Sequence, residues 1–198
     1  MPPSLGQRPC ENNTGWVLKN ATNTRCTNDA LDQVCTFSCH RTHTEPSRVI
    51  MAPMEIVEFR KDNFLISTDT ALLQVDVIHD FLTHRSYWAQ GRSLETTFLA
   101  IEHSLCFGLY DAGVQVGFAR VITDYATFAW LSDVFVLESA RGHGLGKWLV
   151  ACITSHPGLQ SLRRMILATR DAHELYRRYG GFETIPNPER WMIRQKAA

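Results

Sequence analysis

A β-prone apolar stretch, Asp133-Val-Phe-Val-Leu137, runs through Glu138-Ser-Ala into Arg141-Gly-His-Gly-Leu-Gly146, and a helix-forming apolar run, Lys147-Trp-Leu-Val-Ala-Cys-Ile153, follows at once. Glycines at 142, 144 and 146 let the backbone turn tightly and approach a ligand closely. A helix that begins there leaves its first N–H groups without intrahelical partners, and the positive end of its dipole favours a pyrophosphate. Strand, glycine turn and helix in this order predict a phosphate cradle for a nucleotide-like cofactor.

The flanking pattern says what kind of sheet carries the cradle. Cys106–Tyr110, Gln115–Thr123 and Thr127–Leu137 read as three strands joined by Asp111-Ala-Gly and Asp124-Tyr-Ala turns, an antiparallel meander. After the loop, a helix from Leu145 to about Ser155 is stopped by His156-Pro-Gly, and Arg164–Thr169 returns as a strand; strand, crossover helix and strand make that last pair parallel. A strand at Asn63–Ser67 and a helix over Ala71–His84, with N-cap candidates at Thr68, Asp69 and Thr70, precede the meander. A second helix follows over about Leu94–Ser104, capped by Ser93, with Thr96, Leu99 and Ile101 on its inner side. Asp171 is the expected cap of a short helix ended by Gly180-Gly181, and closing strands are expected near Phe182–Ile185 and Arg190–Ile193. A Rossmann domain is excluded, because the loop comes late, after a meander, without surrounding strand–helix–strand repeats.

Composition narrows the partners. With 198 residues, 44% of them hydrophobic, the chain can bury one substantial core. Twenty basic residues balance twenty acidic ones, so no global field recruits nucleic acid or an anionic membrane. No apolar run is long enough to span a bilayer and no signal core opens the chain, which makes a soluble cytoplasmic protein the expectation. Residues 1–50, rich in Asn, Thr, Arg, Pro and Cys, read as a poorly ordered extension, with the folded domain over 51–198 and Met51 or Met54 as possible natural starts. Within the extension, Asn12-Asn-Thr14 and Asn20-Ala-Thr22 read as chance matches to the glycosylation pattern. Cys35, Cys39, His40 and His43 fit no common zinc spacing, so no metal is expected. Cys106 and Cys152, inside apolar runs, read as buried thiols.

About thirty residues beyond the glycine loop, Leu175-Tyr-Arg-Arg-Tyr-Gly-Gly-Phe182 ends the short helix. The two motifs, in this order after a meander, resemble the GCN5-related N-acetyltransferase (GNAT) superfamily over approximately residues 55–195. The resemblance implies an α/β fold of the α+β kind: a mixed, mostly antiparallel sheet of about six to seven strands flanked by about four helices, with a parallel pair forming the cofactor cleft. It implies acetyl-coenzyme A as cosubstrate and transfer of its acetyl group to a primary amine. Arg141, Gly142, His143, Gly144, Leu145 and Gly146 match the pyrophosphate loop, and Lys147 stands where it can approach the phosphates. Val134, Phe135 and Val136 match the strand edge that pairs with pantetheine, and Tyr176 matches the tyrosine that contacts the departing sulfur. Thr169-Arg170 departs from the asparagine often found at this strand end, and the doubled glycine at 180 and 181 is one residue longer than the usual ending.

Each assignment has a plainer alternative. Tyr176 as general acid competes with a core role, since Ala172, Leu175, Tyr176 and Tyr179 form a helical stripe. Asp133, beside the cleft, could take the amine's proton, orient the substrate, or leave deprotonation to water. His84, Tyr87, Trp88 and Trp130 could line an acceptor pocket whose aromatic wall suits an amine, or Trp88 and Trp130 could be packing. The expected partner is a small-molecule amine, with a homodimer possible. A protein amine as acceptor, or a non-catalytic acyl-coenzyme A sensor, are the alternatives.

Overall fold

The computed structural model describes residues 55–195. The readings for the extension, its glycosylation triplets, its Cys/His cluster and the two candidate start methionines lie outside the described residues. A single six-stranded sheet, in sequential order β1 to β6, forms the centre. Strands β1 (Glu58–Lys61), β2 (Phe64–Ser67), β3 (Leu105–Asp111), β4 (Val114–Thr123) and β5 (Phe128–Val136) pair antiparallel, and β6 (Arg164–Ile166) joins β5 in parallel. The mixed α/β architecture expected from the sequence is therefore present.

Local chemistry sets the turns. Ala112 and Gly113 both take positive φ between β3 and β4, the geometry whose twist matches a two-residue hairpin. Between β4 and β5 the Asp124 carboxylate accepts from the Thr127 hydroxyl and from the backbone N–H groups of Thr127, Ala126 and Phe128, which holds its pKa well below the usual carboxylate range.

Alternation along the strands divides the core into two layers. On one face Phe107, Leu109, Val121 and Leu131 pack with Leu145, Leu149, Val150 and Ile153 of α3 (Leu145–Ser155), and Tyr176 of α4 (His173–Gly180) joins them. On the other, Cys106, Phe118 and Phe135 pack with Ile78, Phe81 and Leu82. Cys106 and Cys152 are buried free thiols. Among the described residues no helix is long and apolar enough to cross a membrane.

Several elements differ from the sequence reading. The single helix expected over Ala71–His84 is three pieces: a 3₁₀ turn at Thr70–Leu72 capped by the Asp69 carboxylate, α1 (Val75–Asp80), and a π turn at Phe81–Arg85 closed by Ser86 N–H donating to Phe81 O. Ser93 does cap α2 (Leu94–Glu102), through Thr96 N–H. The buried residue of α2 is Thr97, however, whose hydroxyl lies 3.2 Å from His79 Nδ1, whereas Thr96 and Leu99 face outward. Asp171 does not cap α4; Thr169 Oγ1 accepts from Ala172 N–H instead.

Strand β6 stops at Ile166, short of Thr169, and neither closing strand forms. Gly181 adopts the left-handed conformation and Phe182 N–H donates back to Tyr176 O, so the chain leaves α4 in a helix-terminating turn. Pro186 and Pro188 lack donors, and Asn187 at φ 53° starts a 3₁₀ turn at Pro188–Arg190.

Candidate active site

The site grows from an irregularity in β5. Pairing with β4 runs Phe118 to Phe135 and then resumes at Arg120 with Ser132, so Asp133 and Val134 together face Ala119. Asp133 occupies the left-handed region at φ 52°, a conformation that aspartate tolerates better than most residues. The bulge bends β5 away from β6, which pairs only with Phe128–Trp130. From Leu131 to Val136 the edge of β5 therefore has no β6 partner, and a cleft opens there.

At the far end of this edge Gly142 and Gly144 take φ 91° and 73°, where a side chain is strained, and a Cβ at either would meet no atom within 4 Å. Gly144 caps α3, so the N–H groups at its start face open space. A cavity of about 770 Å³ runs from this loop along Val134–Val136 to Tyr176, lined also by Arg141, Leu145, Gly146 and Lys147. Open N–H groups, a left-handed glycine pair and an unpartnered strand edge suit a pyrophosphate carrying an extended amide-bearing arm.

Placement within the cradle is uneven. Arg141 reaches back to Val136 O and Glu138, and Lys147 Nζ sits 5.3 Å from the Tyr179 ring centroid. The His143 side chain lines neither cavity; its ring packs 6.1 Å from Phe64. Phe135 belongs to the second core layer, its ring stacked 3.9 Å from Phe81, and both residues border the cavity.

A second cavity of about 470 Å³ meets the first where Tyr87, Trp88, Val134 and Tyr176 line both. Trp130 forms another wall. Trp88 and Tyr87 are 40% and 41% exposed, so neither is core packing. His84 is a correction: the π turn carries its ring outward, 67% exposed and paired with Asp80, away from both cavities. The extra residue in that turn re-aims the chain so that Tyr87 and Trp88, rather than His84, enter the cleft.

Tyr176 is 9% exposed and stands at the junction. Burial, with lesser contributions from Tyr87 and Asp171, pushes its phenol up to about 12, so it keeps its proton at neutral pH.

Asp133 is not the free base that its position suggested. Its side chain is 1% exposed and its carboxylate is saturated: Arg92 donates through both terminal nitrogens at 2.6 and 3.2 Å, Arg120 Nε at 2.6 Å, and Trp88 Nε1 at 3.0 Å. Burial alone would raise its pKa, but hydrogen bonds and charge from the two arginines outweigh that and hold it below the usual range. An anion so stabilised is a poor proton acceptor.

Sequence reasoning missed both arginines. Arg120 could have been found, because it lies opposite Ser132 across β4 and β5, one residue from Asp133. Arg92 comes from the loop before α2 and left no periodic signal. Arg170 lies over the Tyr87 ring at 3.8 Å, while its N–H donates to the Tyr87 hydroxyl. No cluster of three His, Cys, Asp or Glu side chains able to hold a metal ion occurs among the described residues.

This geometry has relatives. Residues 102–183 match the acetyltransferase (GNAT) domain. A protein of Gibberella zeae and a crystal structure from Xanthomonas campestris pv. campestris both bear the description "putative acetyltransferase", the second as a member of the GNAT family. The first is 34% identical over 136 residues, 59% of this chain and 77% of its own length. The second is 49% identical with a TM-score of 0.66, covering 68% of this chain and 94% of that one. A Deinococcus radiodurans R1 structure, 17% identical over 70% of this chain and 94% of its own, shares the fold at a TM-score of 0.53. The chain belongs to the GCN5-related N-acetyltransferase family.

Proposed function

We propose that the protein is an acetyl-coenzyme A-dependent N-acetyltransferase whose acceptor is the primary amine of a small molecule. The observation that carries this reading is the junction of the two cavities at Tyr176 and Val134: a long, glycine-floored groove meets a short aromatic one at a buried phenol.

Acetyl-coenzyme A supplies an activated thioester when bound. The Gly142–Gly146 amides and the α3 terminus hold its pyrophosphate, with Arg141 and Lys147 at the rim. The backbone of Val134 orients the acyl end beside the bulge. Joining two chambers at one point contributes through proximity, so few side chains need be chemically special. Tyr176 holds the proton that the departing sulfur requires, and burial ensures that the phenol carries it.

Attack requires a neutral amine. Two guanidinium groups against one carboxylate leave the Arg92–Asp133–Arg120 cluster with one excess positive charge beneath the acceptor cavity. A nearby ammonium is disfavoured by that charge, so its proton passes to water more readily and no side-chain base is needed. Asp133 is then a positioning residue that fixes Trp88 and both arginines.

Calorimetry of acetyl-coenzyme A with the full chain, followed by thiol release across a panel of amines, tests the reading. Binding is expected, with amine-dependent turnover that falls about 10²-fold or more in kcat on Tyr176→Phe while affinity for acetyl-coenzyme A is kept. Binding without turnover on any amine would indicate a sensor, and no binding would overturn the cradle.

A further inference from the structure

The acceptor cavity is lined by two guanidinium groups as well as aromatic rings. Arg92 is held by Asp133 through one hydrogen on each terminal nitrogen, which leaves three of its five donors for other partners. Its side chain is 17% exposed and lines the cavity. Arg170, stacked on Tyr87, lines this cavity and its neighbour, as does Asp171, whose carboxylate lies 3.6 Å from the Arg170 guanidinium. Asp133, the deepest carboxylate, is fully engaged by its two arginines and Trp88, and the net charge of that cluster is positive. Of the two carboxylates that line the cavity, Asp133 is saturated and Asp171 is paired with Arg170, while planar donors of Arg92 remain to receive an anion.

We infer that the acceptor is an amine that also carries a carboxylate, an amino acid in the broad sense, whose carboxylate is received by Arg92 while Trp88 and Trp130 flank an apolar or flat side chain. The inference rests on the acetyltransferase reading and adds to it the chemistry of the acceptor. A guanidinium fork matches a carboxylate in geometry as well as charge. A decarboxylated amine of the same shape brings only its own positive charge and leaves the donors of Arg92 to water.

The test compares pairs that differ only in the carboxylate: phenylalanine with phenethylamine, tryptophan with tryptamine, and leucine with isoamylamine. Thiol release from acetyl-coenzyme A is followed, using the full chain. The acid of at least one pair is expected to exceed its decarboxylated partner by about tenfold or more in kcat/KM, the scale of one charge-assisted hydrogen bond. Arg92→Lys keeps a charge beside Asp133 and removes the fork; its discrimination within that pair should collapse through KM, at unchanged acetyl-coenzyme A affinity. Equal or better turnover of the decarboxylated amines, or turnover of neither member of any pair, overturns the inference. If Arg92→Lys does not fold, the wild-type pairs decide alone. Calorimetry in the same preparation separates the two levels: loss of acetyl-coenzyme A binding removes the acetyltransferase reading itself, whereas intact binding with inverted preference removes only the carboxylate.

Discussion

Replacing Asp133 by Asn would leave two guanidinium groups, 17% and 12% exposed, without the carboxylate that now pairs them. Breaking a buried ion cluster from one side typically costs about 3–5 kcal/mol, because uncompensated charge stays buried. Denaturant unfolding of Asp133→Asn should show a loss on that scale. A catalytic base would behave differently, with near-native stability and a displaced pH–rate profile. The reason Asp133 looked like a base is instructive: its place on β5 beside the glycine loop was legible, but its partners come from residues 41 and 13 positions away, and a sequence does not print which side chains meet across a loop. The place of Tyr176 beside the cleft was legible for the opposite reason, since its motif and the glycine loop constrain one another. His84 was misplaced by a single π turn, a local change of helical period that no hydrophobic pattern announces.

At the scale of elements, the meander, the crossover helix and the parallel pair all follow from period-two and 3.6 patterns interrupted by strong turn residues. The failures cluster after Gly181. Phe182–Ile185 and Arg190–Ile193 have strand-like composition, yet the turn out of α4 and the prolines at 186 and 188 remove the donors that a ladder needs. The bulge in β5 was equally hidden, because an extra residue in a strand changes pairing and not composition. Its partner strand constrains it from behind: a Cβ on Gly117 would lie 2.8 Å from Phe135 O and 2.9 Å from the Leu109 side chain. Backbone cannot yield as a flexible side chain can, so Gly117→Ala should destabilise by about 1–3 kcal/mol, the usual cost of overpacking, in equilibrium unfolding. A variant as stable as the parent would mean that the β4–β5 pairing shifts without penalty.

The whole molecule's response to pH should carry the mark of His156, where the end of α3 meets the sheet. It is 3% exposed, packed edge-on against Phe107, and its Nε2 has no partner, while Nδ1 accepts from Gly158 N–H. Burial lowers its pKa below the ordinary 6.5, so the unfolded chain takes up the proton first. Stability is therefore full above about 6.5 and declines as pH falls below it toward the folded-state pKa. Melting temperatures from pH 8 to pH 5 should show this decline, and His156→Asn, which preserves an acceptor for Gly158, should flatten it. The meeting of two separately open chambers at one phenol has a last consequence, for the order of events in turnover. Among the described residues the cysteines, Cys106 and Cys152, are buried and line neither chamber, so neither is placed to carry the acetyl group between half-reactions. Direct transfer then needs both substrates together at the junction, and double-reciprocal plots against one at fixed levels of the other should intersect rather than run parallel.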